Sequence, residues 1–176
     1  MIIIIAMPIM LAMLTFMIYN SFIKSENKVE QAYSSIDVYL MQRFDLIPNL
    51  VECVKGYMTY EKETLENMTE LRKKYLTNKN LKDGEKLNNE CNKILLNGEN
   101  YPELKASEQF INLQKNLQKI ENQLQAARRI YNMEVNIYNN KVNMFPTNLV
   151  ASLCEFKEKE YFSAEIETQD NVKIDC

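Results

Sequence analysis

The chain has 176 residues, no His, no Trp, three Gly and four Pro, with a formal net charge of −3. That length supports a domain of ordinary size with a real core. Without imidazole there is no Ser-His-Asp or Cys-His relay, no HExxH zinc site and no Glu-x-x-His di-iron bundle. Three glycines also argue against the phosphate loops of nucleotide folds, and so few breakers predict few turns and long helices.

Charge is uneven. Residues 155–176 hold seven acids and three lysines, while the remainder is close to neutral. A nucleic-acid binder presents a basic face or stripe, and none is evident, so no nucleic-acid partner is expected. Cys53, Cys91, Cys154 and Cys176 are widely separated and form no CxxC pair. They predict neither a zinc site nor a compact disulfide framework, and Cys53 reads as a small residue at a core edge. No metal and no cofactor is expected.

Residues 1–19, MIIIIAMPIMLAMLTFMIY, carry no charge. As a helix they cover roughly 28 Å, close to the hydrocarbon thickness of a bilayer. A cleaved signal peptide would need a basic start, a shorter apolar core and a small-residue cleavage site, all missing here. Residues 1–20 are therefore read as an uncleaved transmembrane anchor, with Pro8 tolerated as a bend. Nothing basic precedes the span, and Lys24 and Lys28 follow it. The positive-inside rule then places the large C-terminal part in the cytoplasm and a short N-terminus outside.

Apolar positions continue at Val29, Tyr33, Ile36, Leu40 and Phe44, one helical face. Residues 45–49 (DLIPN) break the run, with Asp45 as the expected N-cap and Pro48 in the first turn of the next helix. That helix carries Ile47, Leu50, Val51, Val54, Tyr57, Met58, Leu65, Met68 and Tyr75 on one stripe and ends near Thr77. Residues 81–96 form a weaker helix closed by Asn97 and Gly98, followed by a turn at Pro102. A third long helix is expected from about Lys105 to Asn143, with Phe110, Leu113, Leu117, Ile120, Leu124, Ala127, Tyr131, Tyr138 and Val142 on its stripe. Residues 144–147 (MFPT) end it, and Thr147 or Asn148 caps a short helix through about Phe156. Beyond Phe162 the chain is polar and β-branched, extended or disordered. No heptad crosses the breaks at Pro48 and Pro102, so an antiparallel bundle over residues 21–162 is preferred to a coiled coil, with residues 163–176 as an acidic tail. The fold class is all-α.

Lysine outnumbers arginine 17 to 4, which makes Arg43, Arg72, Arg128 and Arg129 informative. Guanidinium serves where a planar or partly buried contact is needed. Arg72 continues the second helix's stripe, Glu61 lies on it, and Glu134 lies on the third. These positions suggest a partly buried ionic layer in which Arg72 or Arg128 pairs with Glu61, Glu134 or Asp37, and such a layer sets register more than it stabilises. Ordinary surface pairing along each helix is the alternative. Two carboxylates suffice for glycoside hydrolysis, so a hydrolase using Glu61 or Glu134 is a rival reading. Acids are common on bundle helices, however, and no loop-rich cleft for a sugar is apparent, so no catalytic residue is assigned.

Several segments together resemble the LemA family. They are Tyr19-Asn20, SIDV at residues 35–38, RFDLIPNLV at 43–51 and VKGY at 54–57. On the third helix Glu121-Asn122, ARR at 127–129, Tyr131-Asn132 and Tyr138-Asn139 follow in the family's order, then Phe145-Pro146, Tyr161-Phe162 and VKID at 172–175. The resemblance spans essentially the whole chain. Tyr33 stands where the family usually has Trp, Tyr60 where it has His, Gln42 where it has Arg, Leu71 where it has Ala and Cys176 where it has Phe. The resemblance implies one N-terminal transmembrane helix with a small N-terminus outside, an elongated helical bundle, and no established enzymatic activity. As signature positions of structural weight it marks Asp37, Arg43, Asp45, Pro48, Asn49, Arg72, Glu121, Arg128, Arg129, Tyr131, Asn132 and Pro146.

The functional expectation is a non-catalytic, membrane-anchored bundle that docks an unknown protein partner at a bacterial envelope through the third helix's outer face and the acidic tail. Self-association through the Met-rich span is the alternative.

Overall fold

The structure, a computed structural model, describes residues 2–55, 62–98 and 100–162, with residues 2–5, 62–64 and 81–82 described by backbone alone. Among the described residues there are seven helices and no strand. They are α1 (Ile2–Phe44), α2 (Ile47–Lys55), α3 (Lys62–Asn78), α4 (Leu81–Gly98), α5 (Pro102–Ala106), α6 (Glu108–Asn143) and α7 (Thr147–Leu153). The expected Tyr57 and Met58 positions, Glu61, and the tail after Phe162 fall outside the described residues.

Chain contacts divide the molecule into two compact units. The central unit comprises residues 33–127, and the terminal unit comprises residues 1–32 and 128–176.

In the central unit Ile36, Leu40 and Phe44 of α1, Ile47, Leu50 and Val54 of α2, Met68 and Tyr75 of α3, and Leu87 of α4 are all buried, and Phe44 meets Tyr75 edge-on at 4.9 Å. α3 packs against both α2 and α4. Two of the three glycines lie on α4 where rings press close. A Cβ at Gly84 would stand 2.8 Å from Tyr75 Cε2, and one at Gly98 would stand 2.7 Å from Phe110 Cζ. Glycine weakens a helix interior by roughly 0.5–1 kcal/mol relative to Ala. Here that loss is offset by the contact it permits.

In the terminal unit Phe22, Val29, Val135, Tyr138 and Ala151 form a buried cluster, with Ile18, Tyr131, Val142 and Phe156 packed around it. Phe22 stacks on Phe156 at 4.7 Å and meets Tyr138 edge-on at 6.1 Å. Burying such a ring stabilises by about 1.5–3 kcal/mol. α6 runs antiparallel to α1 here, with Tyr138 beside Phe22 and Lys141 Nζ donating to the Ser21 carbonyl at 3.0 Å. α7 ends in a reversing turn. Glu155 takes the left-handed conformation (φ 58°) and the Phe156 N–H donates to the Ala151 carbonyl at 2.9 Å. That Schellman geometry swings Phe156 onto Phe22.

Along α1, residues 6–20 are apolar apart from Thr15 and Asn20, and they are exposed or at most half-buried. The Thr15 hydroxyl is satisfied within the helix, donating to the Leu11 carbonyl at 2.9 Å. This helix is long and apolar enough to cross a membrane.

Several sequence expectations are corrected in detail. Tyr33 is 39 % exposed and Ala32 is buried in its place, because the 3.6-residue period steps from Val29 to Ala32 to Ile36. The first bond of α2 is accepted by Leu46 (Leu50 N–H to Leu46 O, 3.0 Å), so Asp45 lies one position outside the N-cap. The third long helix begins at Glu108 because Ser107 is extended, and its carbonyl receives the first bond of α6 from Ile111. α4 runs through Asn97 and Gly98. α7 ends at Leu153, three residues before the expected Phe156, because the left-handed Glu155 reverses the chain there. Pro146 occupies the N-cap of α7 with no side-chain cap. Thr147 instead donates backwards, to the carbonyls of Lys141 (2.5 Å) and Met144 (2.8 Å).

Candidate functional site

The signature residues fall into three clusters in the central unit and one in the terminal unit. At the middle of the first is Arg43, on α1 and 1 % exposed. Its guanidinium reaches the Glu121 carboxylate of α6 and the Asn92 amide oxygen of α4. A guanidinium cannot shed its charge, so burial requires a counter-charge and oriented acceptors. Arg43 thereby ties three helices into one register. Beside it Cys91 is fully buried, and burial pushes its thiol up to about 12 against the opposing influence of Arg43. This thiol is unreactive at neutral pH.

A second cluster flanks the first. Tyr75 of α3 donates to Asp37 of α1 at 2.5 Å, and Lys79 Nζ lies 3.4 Å from the other carboxylate oxygen. Burial raises the Tyr75 phenol well above its ordinary value, with the Asp37 hydrogen bond and charge adding to it. Arg72 Nε donates to the Phe44 carbonyl at 2.8 Å, and its terminal nitrogen stands 3.2 Å from Asp45. Arg72 thus satisfies a carbonyl at the end of α1, where the helix leaves acceptors unpaired. Among the described residues, from which Glu61 is absent, Arg43–Glu121 is a buried ionic contact, and Arg72 takes Asp45.

The third feature is a cleft of about 570 Å³ between α2 and the start of α6. Asn49, Glu52 and Cys53 line one side, and Gln109, Asn112 and Asn116 the other. Cys53 is half-buried, as expected of a core-edge residue, and its thiol bonds with Ser107. Burial raises that thiol's pKa more than the Ser107 bond lowers it. Pro48 lines a separate shallow cleft with Thr69 and Arg72. The larger cleft's amides offer paired donors and acceptors, chemistry that matches the peptide units of a polar chain.

In the terminal unit the α6 signature grips the non-helical segment 157–162. Asn139 donates to the Lys159 carbonyl and accepts from the Lys159 N–H, both at 2.9 Å. Asn132 does the same for Phe162 at 3.0 and 2.8 Å. The spacing explains the fit. Seven helical residues advance about 10.5 Å and three residues of extended chain about 10 Å, so the two amides meet two peptide units in register. Tyr131 Oη donates to the Glu160 carbonyl at 3.1 Å. Lys159 pairs with Glu26 of α1 at 2.9 Å and lies over the Tyr138 ring. Arg128 lies 5.0 Å over the Phe162 ring. Arg129 is exposed, and Pro146 heads α7. Glu134 Oε2 is enclosed without a hydrogen-bond partner, and Glu134 lines neither of the two clefts.

Asn92, Tyr75, Asn139 and Lys159 also belong to these clusters. Tyr75 and Asn139 were visible only as a stripe residue and as half of a repeated Tyr-Asn pair. Nothing local to Asn92 or Lys159 announces a partner 49 or 20 residues away.

A family model described as the LemA family matches residues 32–176. A curated protein of Metamycoplasma hominis, "Protein LemA", is 28% identical over 158 residues, which cover 86% of this chain and 72% of that protein. With the match extending over the whole central unit and the C-terminal part of the terminal unit, the chain belongs to the LemA family.

Proposed function

We propose that this protein is anchored in a membrane by α1 and acts without catalysis, holding a protein partner at the membrane surface. The observation that carries the reading is the exposed apolar surface of α1. Met10, Met13 and Phe16 are 73, 67 and 68 % exposed, and together with the side chains around them they form a face that water would not leave uncovered. Lys24 and Lys28 directly after the span favour a cytoplasmic placement of the remainder, with a short N-terminus outside.

Two features support a docking role over a hydrolytic one. The protein already uses asparagine to grip main chain, at Lys159 and Phe162. The cleft between α2 and α6 offers the same chemistry through Asn49, Asn112 and Asn116, without a pair of facing carboxylates. An extended polar peptide suits that cleft.

Alkaline carbonate extraction of native membranes tests the anchor, with the full chain expected to stay in the pellet. Orientation is read by labelling Glu103→Cys, in a background lacking the native cysteines, with an impermeant thiol reagent. Protection in intact cells and labelling after lysis is the expected result. Crosslinking in membranes tests docking. A partner whose recovery falls with Asn112→Ala plus Asn116→Ala supports it, and recovery of this chain alone favours the self-associating alternative.

A further inference from the structure

The segment joining α6 to α7 poses a problem that the fold alone does not resolve. Residues 142–154 contain no charged side chain, the longest such run after residue 23. Met144 and Phe145 in the turn are 62 and 79 % exposed, and Leu149 and Leu153, one turn apart on α7, are 63 and 78 % exposed. The opposite face of α7, Val150 and Ala151, is buried against the unit's core. α7 is thus apolar on both faces, the pattern of a helix enclosed on all sides.

We propose that the α6–α7 turn and the outward face of α7 enter the interfacial layer of the bilayer that α1 spans, giving the terminal unit a second hold on the membrane. The proposal rests on reading α1 as the span. Its geometry comes from the antiparallel pairing within this unit. Lys141 meets Ser21, and Tyr138 meets Phe22. From Lys141 to its last residue, Asn143, α6 advances about 3 Å further towards the N-terminus of α1, and the turn at residues 144–146 follows. The turn therefore follows the level of Ser21, alongside the uncharged part of α1. The first charge on α1 is Lys24, so the turn lies on the apolar side of the charge boundary.

The boundary itself has the chemistry of a lipid headgroup layer. Tyr19 lies there, 40 % exposed, as aromatic residues do at membrane interfaces. Lys24, Lys28 and Lys141 gather beside it. Burial, then the neighbouring Lys28, depress the Lys141 ammonium's pKa, and Glu134 opposes them. Anionic phosphates near this cluster would relieve the repulsion among its ammonium groups. The turn's place on the uncharged side of Lys24, where α1 is itself apolar and exposed, selects lipid as the occupant rather than a second copy or a protein partner. Interfacial elements of this kind bury their apolar face about 5–10 Å into the headgroup and acyl boundary.

Because the chain has no tryptophan, single substitutions report depth directly. Full-length Phe145→Trp, Leu149→Trp, Leu11→Trp and Ile130→Trp would be reconstituted in phosphatidylcholine and phosphatidylglycerol vesicles, with and without bromine on the acyl chains. Ile130 is an exposed apolar residue on α6, about 20 Å before the helix's end. The proposal expects brominated lipid to quench Leu11→Trp, Phe145→Trp and Leu149→Trp and to leave Ile130→Trp bright. Quenching of Leu11→Trp with full emission from Phe145→Trp and Leu149→Trp overturns the second hold and leaves the span standing. An unquenched Leu11→Trp overturns the span and the proposal together. Unquenched emission from Phe145→Trp that shifts to the blue as protein concentration rises assigns the patch to a second copy, and the proposal fails.

Discussion

In the central unit the most buried polar group is a full charge, Arg43, held by Glu121 and Asn92. In the terminal unit neutral amides, Asn132 and Asn139, each pair with a peptide unit of the non-helical chain on both its sides. Charge in a low dielectric is unforgiving, because it must be matched at one place or not buried at all. Amides pair with any peptide unit presented at the right spacing, and each bond adds only a modest increment. In the central unit Arg43 is therefore a single point that fixes the register of three helices. The terminal unit is specified by a strip of repeated small contacts along α6.

The largest expected effect follows from that difference. Arg43→Met leaves Glu121 buried without its cation and should lower the stability measured by urea unfolding by about 3–5 kcal/mol. Adding Glu121→Leu should restore much of it, because an apolar pair of similar volume removes the uncompensated charge. If the double variant is no better than the single one, the pair is not the contact that matters.

Next in size is Asn139→Ala, which removes two hydrogen bonds to Lys159. The loss should be about 2 kcal/mol at roughly 1 kcal/mol per bond, concentrated in the terminal unit. Hydrogen exchange should show the Lys159 amide unprotected while amides of α3 and α4 keep their wild-type rates. Uniform loss of protection would erase the distinction between the units.

The units should also part at alkaline pH. Tyr75 and Cys91 hold their protons more tightly folded than unfolded, so the stability they contribute is complete below their ordinary values of 10.0 and 9.0. It is then lost as pH rises, for Cys91 up to about 12. The slope is at most about 1.4 kcal/mol per pH unit for each group. In the terminal unit burial likewise raises the Tyr138 phenol, but Lys141 is lowered and acts with the opposite sign. Urea unfolding across that range should show the central unit weakening first, and Tyr75→Phe with Cys91→Ala should flatten its slope.

The smallest effect is a gain. Glu155 holds a left-handed backbone that glycine adopts freely, so Glu155→Gly should stabilise the terminal unit by about 1 kcal/mol. A drop in Tm would mean that the Glu155 side chain makes a contact the turn requires.

Long helices were readable from the scarcity of Gly and Pro, and most core faces from their 3–4 spacing. The excess of lysine over arginine singles out four guanidiniums, of which Arg43 is the buried one. Which arginine it was could not be read. Arg43 is three residues after Leu40 on α1's buried face, but Phe44 beside it fits that stripe by residue type. Arg72 looked equally placed on its own helix, and only the close of α1 against α3 shows that it serves the Phe44 carbonyl. The grip of α6 on residues 157–162 was hidden for another reason. Two periods must match there, one helical and one extended, and neither segment displays the other's. The cap of α7 was misjudged because Thr147 looks like an N-cap by type, yet its hydroxyl turns back to the end of α6.

The central claim is that α1 faces lipid along residues 6–20. Leu11→Asp with Leu14→Asp tests it most directly, because both side chains are exposed in the folded chain. A carboxylate at the centre of a span opposes insertion by about 2.5–3.5 kcal/mol each. The account predicts that this variant leaves the carbonate-resistant membrane fraction while its Tm in detergent stays at the wild-type value. Retention in the membrane with a lowered Tm would contradict it, because α1 would then be packing against protein.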